Sequence, residues 1–192
     1  MGIVQMRQVY ALVLVLLAPL FLAGCGGRAG LPDLPPPVKA NYTLDAGDRV
    51  QVTVFGEPRL TGPYTVADNG QISMPLLGAV EARGLTLVQL QAAVASQLQE
   101  RQLVINPGVS VQVDQFRPFF ILGEVAKPGQ YPYVEGMSVL TAAAIAGGFT
   151  FRADKSSVSV TRKIDGKTKE FRASRDSLIM PGDTINVFES YL

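Results

Sequence analysis

The chain has 192 residues, 17 basic and 16 acidic side chains, one Cys, no His and no Trp. That length and a 47% share of hydrophobic residues suffice for one or two packed cores, while a net charge of +1 supplies no bulk basic field for nucleic acid. Without His there is no Ser-His-Asp triad or Cys-His dyad, a zinc site would rest on Asp and Glu almost alone, and one Cys closes no intrachain disulfide. The composition argues against most hydrolases and metalloenzymes, and neither a cofactor nor a metal site is expected.

Arg7 is the only charge before residue 28, and Val9 to Gly24 form an almost wholly apolar run of 16 residues. A bilayer-spanning helix needs about 17–25 residues, so the run fits the apolar region of a secretory signal better than an anchor helix. Leu22-Ala23-Gly24-Cys25 closes it. This tetrapeptide resembles the lipobox of bacterial lipoproteins, in which Cys25 would become the first mature residue and carry a diacylglyceryl thioether. The other reading is a buried Cys after an uncleaved membrane helix. Gly26 follows, and the resemblance implies outer-membrane sorting, since Asp at that place is the usual inner-membrane retention signal. Loss of residues 1–24 would remove Arg7 and leave 16 basic against 16 acidic residues. Residues 25–41 then read as the lipidated Cys and a Gly/Pro-rich tether.

A first folded unit is expected over 42–115. Tyr42-Thr43-Leu44-Asp45-Ala46-Gly47-Asp48 leads into Val50, Val52 and Val54, which alternate with polar residues as a half-buried strand does. Asp68-Asn69-Gly70 reads as a hairpin turn before Gln71–Pro75, and Leu76–Val80 as a further extended piece. Thr86 with Gln89 makes a capping box for a helix whose Leu87, Leu90, Val94 and Leu98 form one apolar stripe. Asn106-Pro107-Gly108 ends that region, and Val109, Val111 and Val113 mark the next strand. The unit is α+β, with the helix covering a sheet face.

The order Tyr42-x-Leu44-x-x-Gly47-Asp48, Asp68-x-Gly70-x-Ile72-x-x-Pro75-x-x-Gly78, Gly84-Leu85-Thr86 and Pro107-x-Val109-x-Val111 resembles the export domain of the outer-membrane polysaccharide export lipoproteins. Each piece alone is turn chemistry; their order is the specific signal.

A second unit is expected over 116–192. Arg117 to Val125 reads as a strand, and Pro128-Gly129 as a type II turn with Gly129 at its positive-φ position. Ser138 caps a short helix with Leu140, Ala143 and Ala144 on one side, and Gly147-Gly148 stops it. Ser157–Arg162 and Lys167–Phe171 alternate around an Asp165-Gly166 hairpin turn, and Pro181-Gly182-Asp183 launches a last strand. Val125 with Pro128-Gly129, followed by Ala146-Gly147-Gly148, resembles the soluble-ligand-binding β-grasp (SLBB) domain of the same family. The fold expected is α+β: two small β-rich domains, export domain then SLBB domain, behind a lipoprotein signal peptide. Leu44-x-Ala46-Gly47-Asp48-x-Val50-x-Val52 also parallels Ile179-x-Pro181-Gly182-Asp183-x-Ile185-x-Val187. Shared design and convergence on a good strand-entry turn both account for that echo.

No phosphate-cradling Gly pattern occurs, and Asp45 and Asp48 sit too close in one turn to face each other across a substrate. Residues 152–175 hold eight basic and three acidic residues, net +5. Arg162, Lys163, Lys167, Lys169 and Arg172 form a candidate patch for an anionic partner, either an acidic glycan or a neighbouring subunit. The plainer reading is a solvated hairpin guarding a sheet edge. Phe116, Phe119, Phe120, Tyr131 and Tyr133 could stack on sugar, but aromatics at strand spacing are more often core.

The resemblance implies a passive conduit with no covalent chemistry. Lipoprotein subunits would form a ring, lipid-anchored in the outer membrane and facing the periplasm. A capsular or exopolysaccharide chain would pass through it, and an inner-membrane polysaccharide copolymerase would dock below. Nine residues follow Asp183, too few for the terminal membrane-crossing helix of the best-known members, so a separate β-barrel porin or an adaptor-ring role is expected. The competing reading is a monomeric outer-membrane lipoprotein that binds a soluble glycan as sensor or scaffold.

Overall fold

The computed structural model describes residues 30–37, 42–164 and 166–190. Its strands and helices run in the order β1 (Arg49–Val54), β2 (Gly62–Thr65), β3 (Gln71–Met74), β4 (Gly78–Glu81), α1 (Leu87–Glu100), β5 (Val109–Gln115), β6 (Phe119–Gly123), β7 (Gly129–Tyr131), α2 (Val139–Ile145), β8 (Val158–Ile164), β9 (Lys167–Ala173) and β10 (Thr184–Val187). The fold is β-rich with two hydrophobic cores. Residues of the first core lie between Leu44 and Val111, and those of the second between Phe119 and Val187.

In the first module, β1 lies between β2 and β5, antiparallel to both. Val50, Val52 and Val54 are buried, and so are Leu90, Val94 and Leu98 on the packed side of α1. The capping box forms: Thr86 accepts from the Gln89 N–H, and Gln89 accepts from the Thr86 N–H. Two expectations change here. The turn at 67–70 exists, with the Gly70 N–H bonded to the Ala67 carbonyl, but β2 pairs with β1 rather than with β3. The hairpin is β3–β4, closed through Pro75–Leu77, so Leu76 and Leu77 are turn rather than strand. Leu76 takes φ of 63°, a left-handed conformation that a sequence rule assigns to Gly or Asn.

The second module is a five-stranded sheet in the order β7-β6-β10-β8-β9. β10 runs parallel to β6 and antiparallel to β8, which places the last strand at the centre. Ser138 caps α2 through the Thr141 N–H, and Gly147 and Gly148 end it with positive φ and bonds back to the Ala144 and Ala143 carbonyls. The buried side of α2 is Val139, Ala142 and Ala143. Leu140 and Ala144 face solvent, one residue round from the expected stripe. Gly129 is a β7 residue paired with Ile121, outside the positive-φ set. Gly123 at the end of β6 carries that conformation instead, with φ of 84°.

Part of the segment read as a tether is docked. The Leu34 N–H donates to the Arg172 carbonyl and the Arg172 N–H to the Pro32 carbonyl, both at 2.8 Å. This places Asp33 in a parallel bridge with Arg172 on the outer edge of β9, and Leu34 packs against the second core. An exposed edge has free backbone groups, and this one is partly covered by the chain's own amino-terminal segment.

Candidate functional site

The most heavily bonded polar residues gather where β5 hands over to β6. Two turns of similar design meet there. In the first, Gly47 takes φ of 91° and the Asp48 carboxylate accepts from the Asp45 N–H at 2.9 Å. In the second, Gly182 takes φ of 83° and the Asp183 carboxylate accepts from the Met180 N–H at 2.7 Å. Asp48 and Asp183 are both buried. The sequence echo is therefore a shared turn geometry in which the Asp completes the turn and an Arg neutralises it.

Arg117 serves the first turn. Its backbone N–H donates to Asp48 Oδ1 at 2.8 Å, and its Nη1 to Asp48 Oδ2 at 2.7 Å and to the Tyr42 hydroxyl at 3.0 Å. Tyr42 in turn donates to Asp48 Oδ2 at 2.6 Å. Arg162 serves the second, with Nε and Nη2 on the Asp183 carboxylate at 2.9 and 2.7 Å. Arg117 also fills the space left by the second turn's glycine: a Cβ on Gly182 would stand 2.7 Å from Arg117 Nε. One side chain thus packs on both turns.

A second tie lies beside it. Lys163 Nζ donates to Asp45 Oδ2 at 2.9 Å, and Arg83 Nε to Asp45 Oδ1 at 2.9 Å. Burial works to raise the Asp45 carboxyl, but Lys163, the Ala46 N–H and Arg83 outweigh it and hold it at about 2. Burial dominates at Asp183 and pushes its carboxyl up despite Arg162. Burial likewise pushes the Tyr42 hydroxyl well up, with Arg117 opposing. A cleft of about 230 Å³ runs past Asp45, Arg117, Arg162 and Lys163. Its charges are engaged with one another, so it presents neither a poised acid–base pair nor a bare cationic pocket. Among the described residues no group of three or more His, Cys, Asp or Glu could hold a metal ion.

The candidate patch for an anionic partner separates into different tasks. Arg162 is buried on Asp183 and also donates to the Pro35 and Leu178 carbonyls. Lys163 is held by Asp45, and Arg172 by Asp33 at 2.9 Å. Lys167 and Lys169 are exposed on β9. The net +5 counted along 152–175 is offset in space by acids from outside that segment, which no local count reveals. The aromatics divide too. Phe119 is core and stacks on Tyr131, Phe116 meets Tyr42 and Tyr133 edge-on, and Phe120 is exposed on the sheet. Cys25, Leu22, Ala23 and Gly24 lie outside the described residues. Sequence reading missed Arg117 as the hub and Asp33 as a partner. The Gly-Asp echo signalled the two carboxylates, but their cations come from 69 and 21 positions away.

Comparison with known proteins adds the remaining finding. Residues 36–114 match the family described as "Polysaccharide biosynthesis/export protein", and residues 118–170 match the SLBB domain. The chain thus carries a polysaccharide export domain followed by an SLBB domain. It is 36% identical over 124 residues to the exopolysaccharide production protein ExoF of Rhizobium meliloti (strain 1021), covering 59% of this chain and 29% of that protein. It is 33% identical over 109 residues to the polysialic acid transport protein KpsD of Escherichia coli, covering 56% of this chain and 20% of that one. The matched stretch is thus less than a third of the length of either relative. The SLBB match stops at residue 170, whereas the sheet it belongs to needs β10, its central strand, at 184–187. Among the described residues no helix is long and apolar enough to cross a membrane.

Proposed function

We propose that this chain is a non-enzymatic subunit of a conduit that exports a capsular or exopolysaccharide chain. Subunits associate as a ring around the polymer path, an inner-membrane polysaccharide copolymerase feeds it, and a β-barrel porin completes the passage. Residues 1–24 are removed as a signal peptide. Cys25 carries acyl chains that hold the protein in the outer membrane, facing the periplasm; two or more chains anchor stably where one does not. Residues 42–115 and 116–192 act as the export and SLBB modules. Lys167 and Lys169 remain for an anionic partner, glycan or neighbouring subunit.

The observation that carries this reading is the pairing of the two domains in this order, together with a junction whose charges are spent on one another. A catalytic site needs a group held ready for substrate, whereas these groups tie the two modules to each other. That suits a subunit of an assembly through which a polymer moves without strong binding.

The experiment is deletion of the gene and complementation, with secreted polymer measured, alongside light scattering and imaging of the detergent-extracted protein. Loss of secretion on deletion, its recovery on complementation and a discrete ring are expected. Unaltered secretion in the deletion strain, or a strict monomer at every concentration, defeats the proposal; the monomer outcome favours a glycan-binding sensor. Cys25→Ala should abolish acyl labelling, and persistent labelling would remove the lipid anchor from the account.

A further inference from the structure

The segment between the lipidation site and the export module is short, rich in Pro and Gly, and attached to the wrong module for a simple tether. Residues 32–35 precede the export module in sequence, yet the polar contacts described above join them to the SLBB module. Two backbone hydrogen bonds fasten them to β9 at Arg172. Asp33 accepts from Arg172 Nε and Nη2 at 3.0 and 2.9 Å. The Pro35 carbonyl accepts from Arg162 Nη1 at 3.2 Å. Leu34 packs against the SLBB core. Four kinds of contact, two of them from cations of the 152–175 segment, thus act on four consecutive residues.

Chain length gives this attachment a mechanical meaning. A free tether from Cys25 to Tyr42 would reach about 60 Å when extended, while the eight residues from Cys25 to Asp33 reach at most about 29 Å. Docking therefore halves the slack and moves the point of attachment from the export module to one edge of the SLBB sheet. The opposite edge, β7, lies four strands away, about 19 Å at normal strand spacing.

We propose that residues 32–35 are a strap coupling the membrane anchor to the SLBB module, so that the β9 edge faces the lipid surface and the β7 edge lies farther from it. This rests on the reading of Cys25 as the acylated residue. Arg172 and Arg162 are then positioning residues for the strap. The basic segment singled out in the sequence owes two of its members to this task.

The test uses the full chain, extracted in detergent and reconstituted into vesicles of phosphatidylethanolamine and phosphatidylglycerol containing a rhodamine lipid. A donor fluorophore is placed on Thr168→Cys in β9 or on Gln130→Cys in β7, both exposed positions. Energy transfer to the lipid should be greater from 168 than from 130. The double variant Asp33→Ala, Leu34→Pro removes the ion pair, the Leu34 N–H and its apolar contact without touching a residue of either module. It should abolish the difference while leaving vesicle binding intact. Equal transfer from both positions, greater transfer from 130, or a difference unmoved by the double variant overturns the strap. A second arm replaces Cys25 by a His tag on nickel-chelating vesicles, and mass spectrometry reads the acyl state of the natural protein. A missing acyl group with the difference retained in the nickel arm defeats the anchor reading alone. An acylated protein without the difference defeats the strap alone.

Discussion

Asp48 accepts four hydrogen bonds, from Tyr42, Asp45 and twice from Arg117, and has no exposed surface. A buried carboxylate whose cation is removed keeps its desolvation cost and loses its compensation. Arg117→Ala should therefore destabilise the protein by about 3 kcal/mol, and Asp48→Ala by a similar amount because it leaves Arg117 without its carboxylate and takes the acceptor from the Tyr42 O–H and the Asp45 N–H. Denaturant titration measures both. Asp45 makes a weaker, pH-dependent contribution. Its folded-state value of about 2 lies below the ordinary 3.8. Its stabilisation is thus complete above about pH 4 and is lost as pH falls towards about 2. The partners Lys163 and Arg83 are substantially exposed, so solvent screening limits the effect to about 1 kcal/mol. Asp45→Asn should lower stability at neutral pH and flatten the acid limb between pH 4 and 2; an unchanged acid limb would assign it to other carboxylates.

At the scale of elements, what was legible depended on how local the cause was. The Thr86–Gln89 capping box, the apolar stripe of α1, the Gly147-Gly148 stop and the alternation of β1 are set by residues within a turn or two of one another, and all appear as read, whereas β8 buries Val158, Ser159 and Val160 in succession where alternation was expected. Thr86→Ala should cost about 1 kcal/mol through loss of the cap. β2 escaped because Gly62-Pro63-Tyr64-Thr65 has no alternation and is a strand only through its pairing with β1. The side of α2 was misjudged because seven residues give under two turns, too few for a stripe to declare itself. Gly123 is the sharpest such case. Its sequence context is an ordinary strand end, yet β10 lies so close that a Cβ there would stand 2.0 Å from the Val187 carbonyl oxygen, at a φ of 84°. Strain and clash both fall on backbone, which cannot step aside as a side chain can. Gly123→Ala should cost about 3 kcal/mol and loosen the β6–β10 pairing, which hydrogen exchange at Glu124 and Phe120 would detect.

For the whole molecule the question is whether two cores behave as two domains. Each has its own helix and sheet, and the two hydrophobic clusters share no residue. Residues 32–192 nonetheless form one compact unit, and the modules are linked by two charged ties, Arg117 to Asp48 and Lys163 to Asp45, and by the apolar Phe116 ring against Tyr42 and Tyr133. The candidate site was legible only in part for the same reason. The sequence displays two Gly-Asp turns and a run of cations, but which cation meets which acid is settled by long-range folding. Small modules of this size are individually marginal, so coupling of a few kcal/mol is enough to make them unfold together. Calorimetry on the natural chain should show one transition with matching calorimetric and van't Hoff enthalpies. The double variant Arg117→Ala, Lys163→Ala cuts both charged ties while leaving each core unaltered, and it should divide the melt into two transitions, one for each module. A single transition that merely moves to lower temperature would mean that apolar contact at Phe116 suffices to couple them, and the charged joint would then set their angle without setting their cooperativity.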